Sequence, residues 1–321
     1  DRIPETPARS AAATRAPPQM AFDPTRARRL LLDRGSFEAV TYSFVSPELQ
    51  ALVAPDQRPL ALANPLSAEM SVMRTSLWPG LLQAMRQNLA RQQSRVRLFE
   101  LGLRFRTDGD RLHQEPMLAG AIVGPVLPEQ WGERSRDADF FDLKADAEAL
   151  LAVVGCAGEV RFVADTLGAL HPGQSARLER GGETLGWVGS IHPSLATRLD
   201  LPTSVQLFEV AMDALGGGPR PVFRPLSKFP SIRRDLAIVV DEAIPFVTVE
   251  QVARNAAGEL LRELVLFDVY VGDKVDSGRK SMALGLILQA TSQTLTEDDV
   301  AAVVDRVLAG LRAEVGAELR A

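Results

Sequence analysis

The feature that most constrains the fold is the apolar pattern of the last hundred residues, which changes from strand spacing to helix spacing and back. Residues 281–289 alternate two apolar sets, so both faces of this segment favour burial, as in a central strand. Apolar residues at helical spacing follow Thr248 and, further on, Thr296, so each threonine is a candidate helix cap. Gln251 is the capping-box partner of Thr248. Further strands are predicted over 236–240, 264–271 and 314–320. The order β-α-β-β-α-β is the ferredoxin-like motif, whose helices leave one sheet face free for a ligand.

Cations and aromatic side chains lie close together in the sequence around these predicted strands. Arg279 and Lys280 open the third strand, and Phe267 and Tyr270 lie in the second. A stretch without acids precedes them and contains Arg224, Lys228, Arg233 and Arg234. Cations that contact phosphates and aromatic rings that stack on bases are what single-stranded RNA binding requires. Taken singly, Phe267 fits a core position better than a stacking surface, and the arginines also fit a solvated surface.

Four sequence blocks of this region resemble the anticodon-binding domain at the C-terminus of the phenylalanyl-tRNA synthetase β subunit. They are Lys228-Phe-Pro-Ser-Ile-Arg-Arg-Asp-Leu-Ala-Ile-Val-Val240, Leu266-Phe-Asp-Val-Tyr270, Lys280-Ser281 and Thr294-Leu-Thr-Glu-Asp298. The resemblance implies binding of tRNA on the open sheet face. The candidate RNA contacts are Arg233, Arg234, Phe267, Asp268, Tyr270, Lys280 and Ser281. Asp268 is an acceptor that suits a base edge, and a structural turn bond is the equal alternative.

Composition limits the remaining possibilities. A chain of 321 residues with 46% apolar content is long enough for two or more packed domains. The net charge of −5 favours a local contact with nucleic acid over a general coating. A single cysteine, Cys156, excludes an intrachain disulfide framework and suits a reducing cytoplasm. No apolar run approaches membrane-spanning length, so no membrane partner is expected.

Proline- and glycine-rich stretches divide the chain. We expect a linker over 1–20, a domain over 21–215, a linker over 216–221 and the ferredoxin-like domain over 222–321. The opening residues, Asp1-Arg-Ile-Pro4, follow no initiator methionine and suggest a fragment of a longer polypeptide. In the central domain, helices are predicted over 24–34, from Trp78 and over 142–154. Strands are predicted over 38–45, 95–105, 118–123, 161–164, 176–179 and 184–191, which indicates an antiparallel, β-rich domain.

The central domain resembles the catalytic-like module of the same β subunit, which is similar to a class II synthetase core. The blocks that carry the resemblance are Val40-Thr-Tyr-Ser-Phe44, Asn64-Pro-Leu-Ser67, Met73-Arg-Thr-Ser-Leu77, Leu98-Phe-Glu-Leu-Gly102, Asp142-Leu-Lys144, His171-Pro-Gly-Gln174 and Gly189-Ser-Ile-His-Pro193. An active core needs an arginine that clamps phosphate and a late glycine-rich, arginine-containing motif. Glu100 follows Phe99 where an arginine is expected, and the late motif is missing, so we expect a non-catalytic module. Arg97 and Arg104 are the remaining clamp candidates.

Two features of the central domain predict a subunit interface. The first is an apolar helical surface that includes Phe22, Leu30, Leu31 and Leu32. The second is the stretch 74–106, which carries seven arginines, including Arg74 and Arg91, and one acid, Glu100. Arginine suits planar, bidentate pairing with acidic groups of a partner. A solvated helix face is the alternative interpretation of the stretch.

Other chemistry has weak support in the sequence. The three histidines, His113, His171 and His192, are far apart, and turns explain them better than a metal site does. Asp142, Asp146 and Glu148 fit a solvated helix start. The sequence contains no nucleophile elbow and no Walker loop.

The resemblance as a whole implies part of a ligase that attaches phenylalanine to its tRNA with ATP. The α subunit would carry the catalytic residues, in a cytoplasmic assembly of two α and two β chains. ATP and magnesium are implied for the whole enzyme, and this chain is expected to bind no cofactor. The alternative is a metabolic enzyme whose C-terminal ferredoxin-like domain binds a regulatory amino acid. That alternative requires a catalytic set in residues 21–215, which we do not find in the sequence.

Overall fold

The computed structural model describes residues 23–109, 111–216, 223 and 225–320. They belong to two compact units that divide between residues 221 and 222. Phe22, the predicted linker 1–20 and most of the predicted linker 216–221 lie outside the described residues. No helix in the described part of the chain is both long and apolar enough to cross a membrane.

The first unit is built on a seven-stranded sheet in the order β1-β4-β5-β9-β8-β7-β6. Strand β1 pairs with β4 in parallel, and the other pairings of this sheet are antiparallel. Strands β2 and β3 form a separate antiparallel pair. The elements are α1 Pro24–Asp33, β1 Phe37–Glu38, β2 Phe44–Val45, α2 Pro47–Val53, β3 Val72–Met73, α3 Trp78–Ala90, β4 Val96–Asp108, β5 Arg111–Val123, α4 Phe140–Val153, β6 Val160–Ala164, β7 Leu170–Arg180, β8 Glu183–Ile191, α5 Pro193–Leu199 and β9 Gln206–Ala211.

Each face of this sheet is covered by a hydrophobic core. Helices α2, α3 and α5 contribute to one core, in which Leu81 packs with Leu207. Helices α1 and α4 contribute to the other, in which Leu31 packs with Phe99 and Leu143. Because side chains alternate along a strand, β4 serves both cores, with Val96 in the first and Phe99 in the second.

The second unit is a four-stranded antiparallel sheet in the order β11-β12-β10-β13, with two helices packed on one face. Its elements are β10 Ile232–Asp241, α6 Phe246–Ala257, β11 Leu261–Tyr270, β12 Arg279–Leu288, α7 Glu297–Val315 and β13 Glu318–Leu319. Strand β12 is central, as its sequence indicates, but only one of its faces packs in the core, and Ala283 and Ile287 on the other face are half-buried. The structure thus confirms the predicted α+β class and the ferredoxin-like order.

Some predicted elements differ from the observed ones. The strand predicted over 38–45 is split between β1 and β2, because Thr41 lies between them and bonds to Glu100 instead of a neighbouring strand. Helix α6 is not capped by Thr248 but begins after Pro245, whose φ of −73° already suits a helix start. Strand β9 was not predicted, and the predicted tail strand shortens because α7 continues to Val315.

Candidate nucleic-acid interface

Strand alternation decides which cations reach the open face of the second unit. On β10, Arg233 lies opposite Ile287 and Arg234 lies opposite Leu286, a fully buried residue on the helix-covered face. Consecutive residues of a strand point to opposite faces. Arg233 therefore points to the open face, whereas Arg234 points to the helix side and pairs with Glu297 in the first turn of α7. The prediction that both arginines share the open face is wrong for Arg234.

Arg233 forms the first of two cation–aromatic pairs on this face. Its guanidinium lies 5.2 Å from the ring centroid of Phe267, and its Nε donates a hydrogen bond of 2.7 Å to Asp235. Gly285 leaves room for this arrangement, since a Cβ there would lie 3.1 Å from Nη2 of Arg233. Phe267 lies at a β-bulge in β11 and is 50% exposed, so it is a surface platform and not a core residue.

Arg320 and Tyr270 form the second pair. The guanidinium of Arg320 lies 5.5 Å from the centroid of the Tyr270 ring, and its Nη1 donates to Oγ of Ser281 at 3.1 Å. Ser281 is on the open face but is buried, so it reaches a ligand only if Arg320 moves. Arg320 was not among the predicted contacts, although the predicted tail strand includes it, and it directly follows the observed β13.

Two further residues of the predicted set have different positions. Asp268 lies opposite Ala283 and is exposed on the open face, and its carboxylate makes no hydrogen bond or ion pair with the described residues. Lys280 lies opposite the buried Val240, and its Nζ donates to the carbonyl of Glu242 at 2.8 Å. Lys280 therefore lies on the helix side, contrary to the prediction. Its neighbour Arg279 reaches the open face and pairs with Glu318 at 2.8 Å.

The residues predicted for a subunit interface do not form one surface, because some are buried and others are exposed. Leu31 packs in the core of the first unit, and Leu30 is half-buried against the same core. Arg74 is only 2% exposed and pairs with Glu100 at 2.9 Å, so it is not available at the surface. These positions correct the prediction for Leu31 and Arg74. Arg91, at the end of α3, is exposed and makes no ion pair with the described residues.

The buried Arg74 instead supports an exposed apolar loop that the interface prediction did not include. Oγ1 of Thr41 donates to Glu100 at 2.7 Å and accepts from Nη1 of Arg74 at 2.9 Å. The residues on either side of Thr41 are exposed, Val40 by 91% and Tyr42 by 64%. The ring of Tyr42 stacks on that of Phe44 with centroids 6.2 Å apart. This apolar loop, residues 39–44, is thus held in place by a buried ion pair.

The candidate phosphate-clamping arginines of β4 have partners within the unit. Nη2 of Arg97 donates to Asp146 at 2.6 Å, and Asp146 also accepts from Arg34. Nε of Arg104 donates to Glu115 at 2.6 Å. Asp146 is therefore a buried bridge between helix and sheet, and the prediction that it belongs to a solvated helix start is wrong.

No group of three His, Cys, Asp or Glu among the described residues is placed to hold a metal ion. His192 caps α5, and its Nδ1 accepts from the backbone N–H of Ser194 at 3.2 Å. His171 makes a similar turn bond with Gly173. These two histidines therefore have the local turn roles that the sequence indicated.

Comparisons with known proteins agree with this architecture. Residues 3–212 match the family described as phenylalanyl tRNA synthetase beta chain CLM domain, and residues 227–320 match the ferredoxin-fold anticodon binding domain. A phenylalanine–tRNA ligase beta subunit from Pseudomonas fluorescens is 48% identical over 293 residues, 91% of this chain and 37% of the relative. That of Methylococcus capsulatus is 46% identical over 321 residues, 100% of this chain and 40% of the relative.

This chain therefore spans about two fifths of the length of these relatives. A solved pyrrolysyl tRNA synthetase from Desulfitobacterium hafniense aligns with a TM-score of 0.46 at 18% identity. The alignment covers 60% of this chain and 64% of that one, a likeness too weak to support a conclusion.

Proposed function

The chain belongs to the phenylalanyl-tRNA synthetase beta chain family, and we propose that it is part of a ligase that attaches phenylalanine to tRNA(Phe). In this proposal the second unit binds the anticodon region of the tRNA, and the first unit binds the α subunit. The main support is the family match of both units in one chain. The comparisons do not favour the alternative, a metabolic enzyme with a regulatory domain.

The chemistry of the open face supports RNA binding by the second unit. Phe267 and Tyr270 offer ring surfaces on which bases stack, and the neighbouring strand β12 carries the small residues Ala283 and Gly285 on the same face. Arg233 and Arg320 lie against these rings and supply positive charge for phosphates. Arg233 is paired with Asp235, so in RNA binding its guanidinium would exchange this carboxylate for a phosphate.

The test is binding of a tRNA(Phe) anticodon stem-loop to the whole chain at several salt concentrations. Arg233→Ala should weaken binding and reduce the salt slope by roughly one counterion. Arg234→Ala is the matched control, since it removes the same charge from the other side of the sheet and should leave binding unchanged. Phe267→Ala and Tyr270→Ala should each cost about 1–3 kcal/mol of binding energy. Equal effects of the two arginine changes would reject the open face as the RNA site.

Assembly with the α subunit is proposed to use the apolar loop 39–44 and Arg91. The loop exposes Val40 and Tyr42 on a rigid support, and large exposed apolar groups mark interaction surfaces. Val40→Asp should weaken association with the α subunit, as measured by sedimentation in an analytical ultracentrifuge. Leu66→Asp is the control, because Leu66 is 77% exposed outside this loop. Unchanged sedimentation for Val40→Asp would exclude the loop, and an assembly other than two α and two β chains would reject the proposed stoichiometry.

The chemistry of phenylalanine activation is proposed to lie on the α subunit, with ATP and magnesium used there, in the cytoplasm. The support is that Arg97 and Arg104 are held by carboxylates of the first unit. Purified chain should show no pyrophosphate exchange with phenylalanine and ATP. A robust rate that disappears in Arg104→Ala would show that the module is catalytic.

A further inference from the structure

The first unit contains a cleft of about 250 Å³ on the sheet face that packs against α3. Its charged lining residues are Asp56, Glu209, Arg104 and Arg106, and Trp78 and Trp187 also line it. Ligand sites for drug-sized molecules measure about 300–1,000 Å³, so a cleft of this volume suits a smaller molecule. All of its lining residues belong to the first unit.

Glu209 is a buried carboxylate whose hydrogen bonding is incomplete. Oε1 accepts from Oγ of Ser76 at 3.0 Å and from the backbone N–H of Leu77 at 2.7 Å. Oε2 lies 3.9 Å from Nη1 of Arg104, beyond hydrogen-bond distance, and it accepts no hydrogen bond from the described residues. Arg104 itself is engaged by Glu115. Because Glu209 lines the cleft, its Oε2 is available to a cationic donor in the cleft in addition to the long ion pair with Arg104.

The mouth of the cleft offers the opposite charge and an apolar wall. Arg106 is exposed and makes no hydrogen bond or ion pair with the described residues. Trp187 lies opposite Glu209 across the β8–β9 pair and is only half-buried. Leu167 adds apolar surface. The cleft therefore presents the Glu209 carboxylate on its inner side, the Arg106 guanidinium at its mouth and the Trp187 ring as a wall.

We propose that this cleft binds a small zwitterion of the free α-amino acid class. The ammonium group would donate to Oε2 of Glu209, the carboxylate would pair with Arg106, and an apolar side chain would lie against Trp187. Occupancy supplies the hydrogen bonds that Oε2 lacks and an anionic partner for Arg106. None of the lining residues is among the proposed RNA contacts or in the surface proposed for the α subunit.

The test is calorimetric titration of the whole chain with L-leucine, whose expected Kd is about 1 mM or tighter. L-leucinamide lacks the carboxylate and 4-methylpentanoate lacks the ammonium group, so each should bind at least about tenfold more weakly, or 1.4 kcal/mol. Glu209→Gln keeps an acceptor oxygen for Ser76 and Leu77 but removes the charge, and it should weaken leucine binding at least about tenfold.

Arg106→Ala should weaken leucine binding and leave leucinamide binding unchanged, because leucinamide makes no ion pair there. Arg161→Ala, an exposed position on β6 outside the cleft, is the matched control and should change nothing. The proposal is overturned by the absence of saturable leucine binding up to about 10 mM, ten times the expected Kd. It is equally overturned if leucinamide and 4-methylpentanoate bind as well as leucine, a result that does not depend on the folding of any variant.

Discussion

Removal of either member of the buried Arg74–Glu100 pair is expected to destabilise the first unit by about 3–5 kcal/mol. Both side chains are at most 3% exposed, and their charged atoms are 2.9 Å apart. At an effective dielectric constant of about 20, that distance corresponds to roughly 6 kcal/mol of attraction, which compensates for the loss of hydration. Arg74→Met leaves Glu100 charged and without its cation, and Glu100→Leu leaves Arg74 charged and without its anion.

The hydrogen bonds around the pair determine the coupling energy expected between the substitutions of Arg74 and Glu100. Arg74 also donates to the carbonyl of Leu103 at 2.9 Å and to Thr41, which itself donates to Glu100. In the double variant Arg74→Met/Glu100→Leu no charge stays buried, although the bonds of Thr41 and Leu103 are lost at about 1–3 kcal/mol each. The double variant should therefore be less destabilised than the sum of the single variants.

Urea unfolding followed by tryptophan fluorescence measures this effect in the intact chain. All three tryptophans, Trp78, Trp131 and Trp187, belong to the first unit, so the signal reports that unit alone. Arg28→Met is the control, because Arg28 and Glu38 form a contact of 2.7 Å at the surface and should contribute under about 1 kcal/mol. If Arg74→Met costs no more than Arg28→Met, the pair is hydrated and the reasoning fails. The variants should also lose affinity for the α subunit, since Thr41 anchors the apolar loop.

The architecture of the second unit was predictable because its sequence pattern admits one arrangement. One apolar set on β12 packs under the helices, and a one-residue shift in register would move Leu284 and Leu286 to the open face. The same alternation assigns Arg233 and Arg234 to opposite faces, so the sequence contained the signal that separates them. The cation–π partner of Tyr270 was not predicted, because a strand at the tail does not by itself indicate which strand it pairs with or which side chains it brings to the open face.

Burial of polar residues in the first unit was beyond sequence reasoning. Arginine is rarely buried, and the partner of Arg74 lies 26 residues away, brought into contact by the pairing of loop and strand. Strand β9 was missed because Gln206 and Glu209 interrupt its apolar run, although both are buried. Their burial depends on partners from distant segments, which no local periodicity reveals.

Three further predictions concern single side chains. Thr296→Ala removes the hydroxyl that accepts from the backbone N–H of Asp299 and should lower the stability of the second unit by about 1 kcal/mol in a circular dichroism melt. Cys156 is buried, which raises the pKa of its thiol, so it should react with a thiol reagent only after urea unfolds the chain. Asp142→Asn should change how stability depends on pH. A hydrogen bond from Arg136 lowers the pKa of Asp142 below its ordinary 3.8. The carboxylate therefore contributes stability above that value and loses it as the pH falls through the lowered pKa. Because Arg136 is largely exposed, the effect at pH 7 should stay under about 1 kcal/mol. Urea midpoints of the two proteins should differ at neutral pH and converge in acid, where Asp142 is protonated, and a difference that grows in acid would reverse the assigned sign.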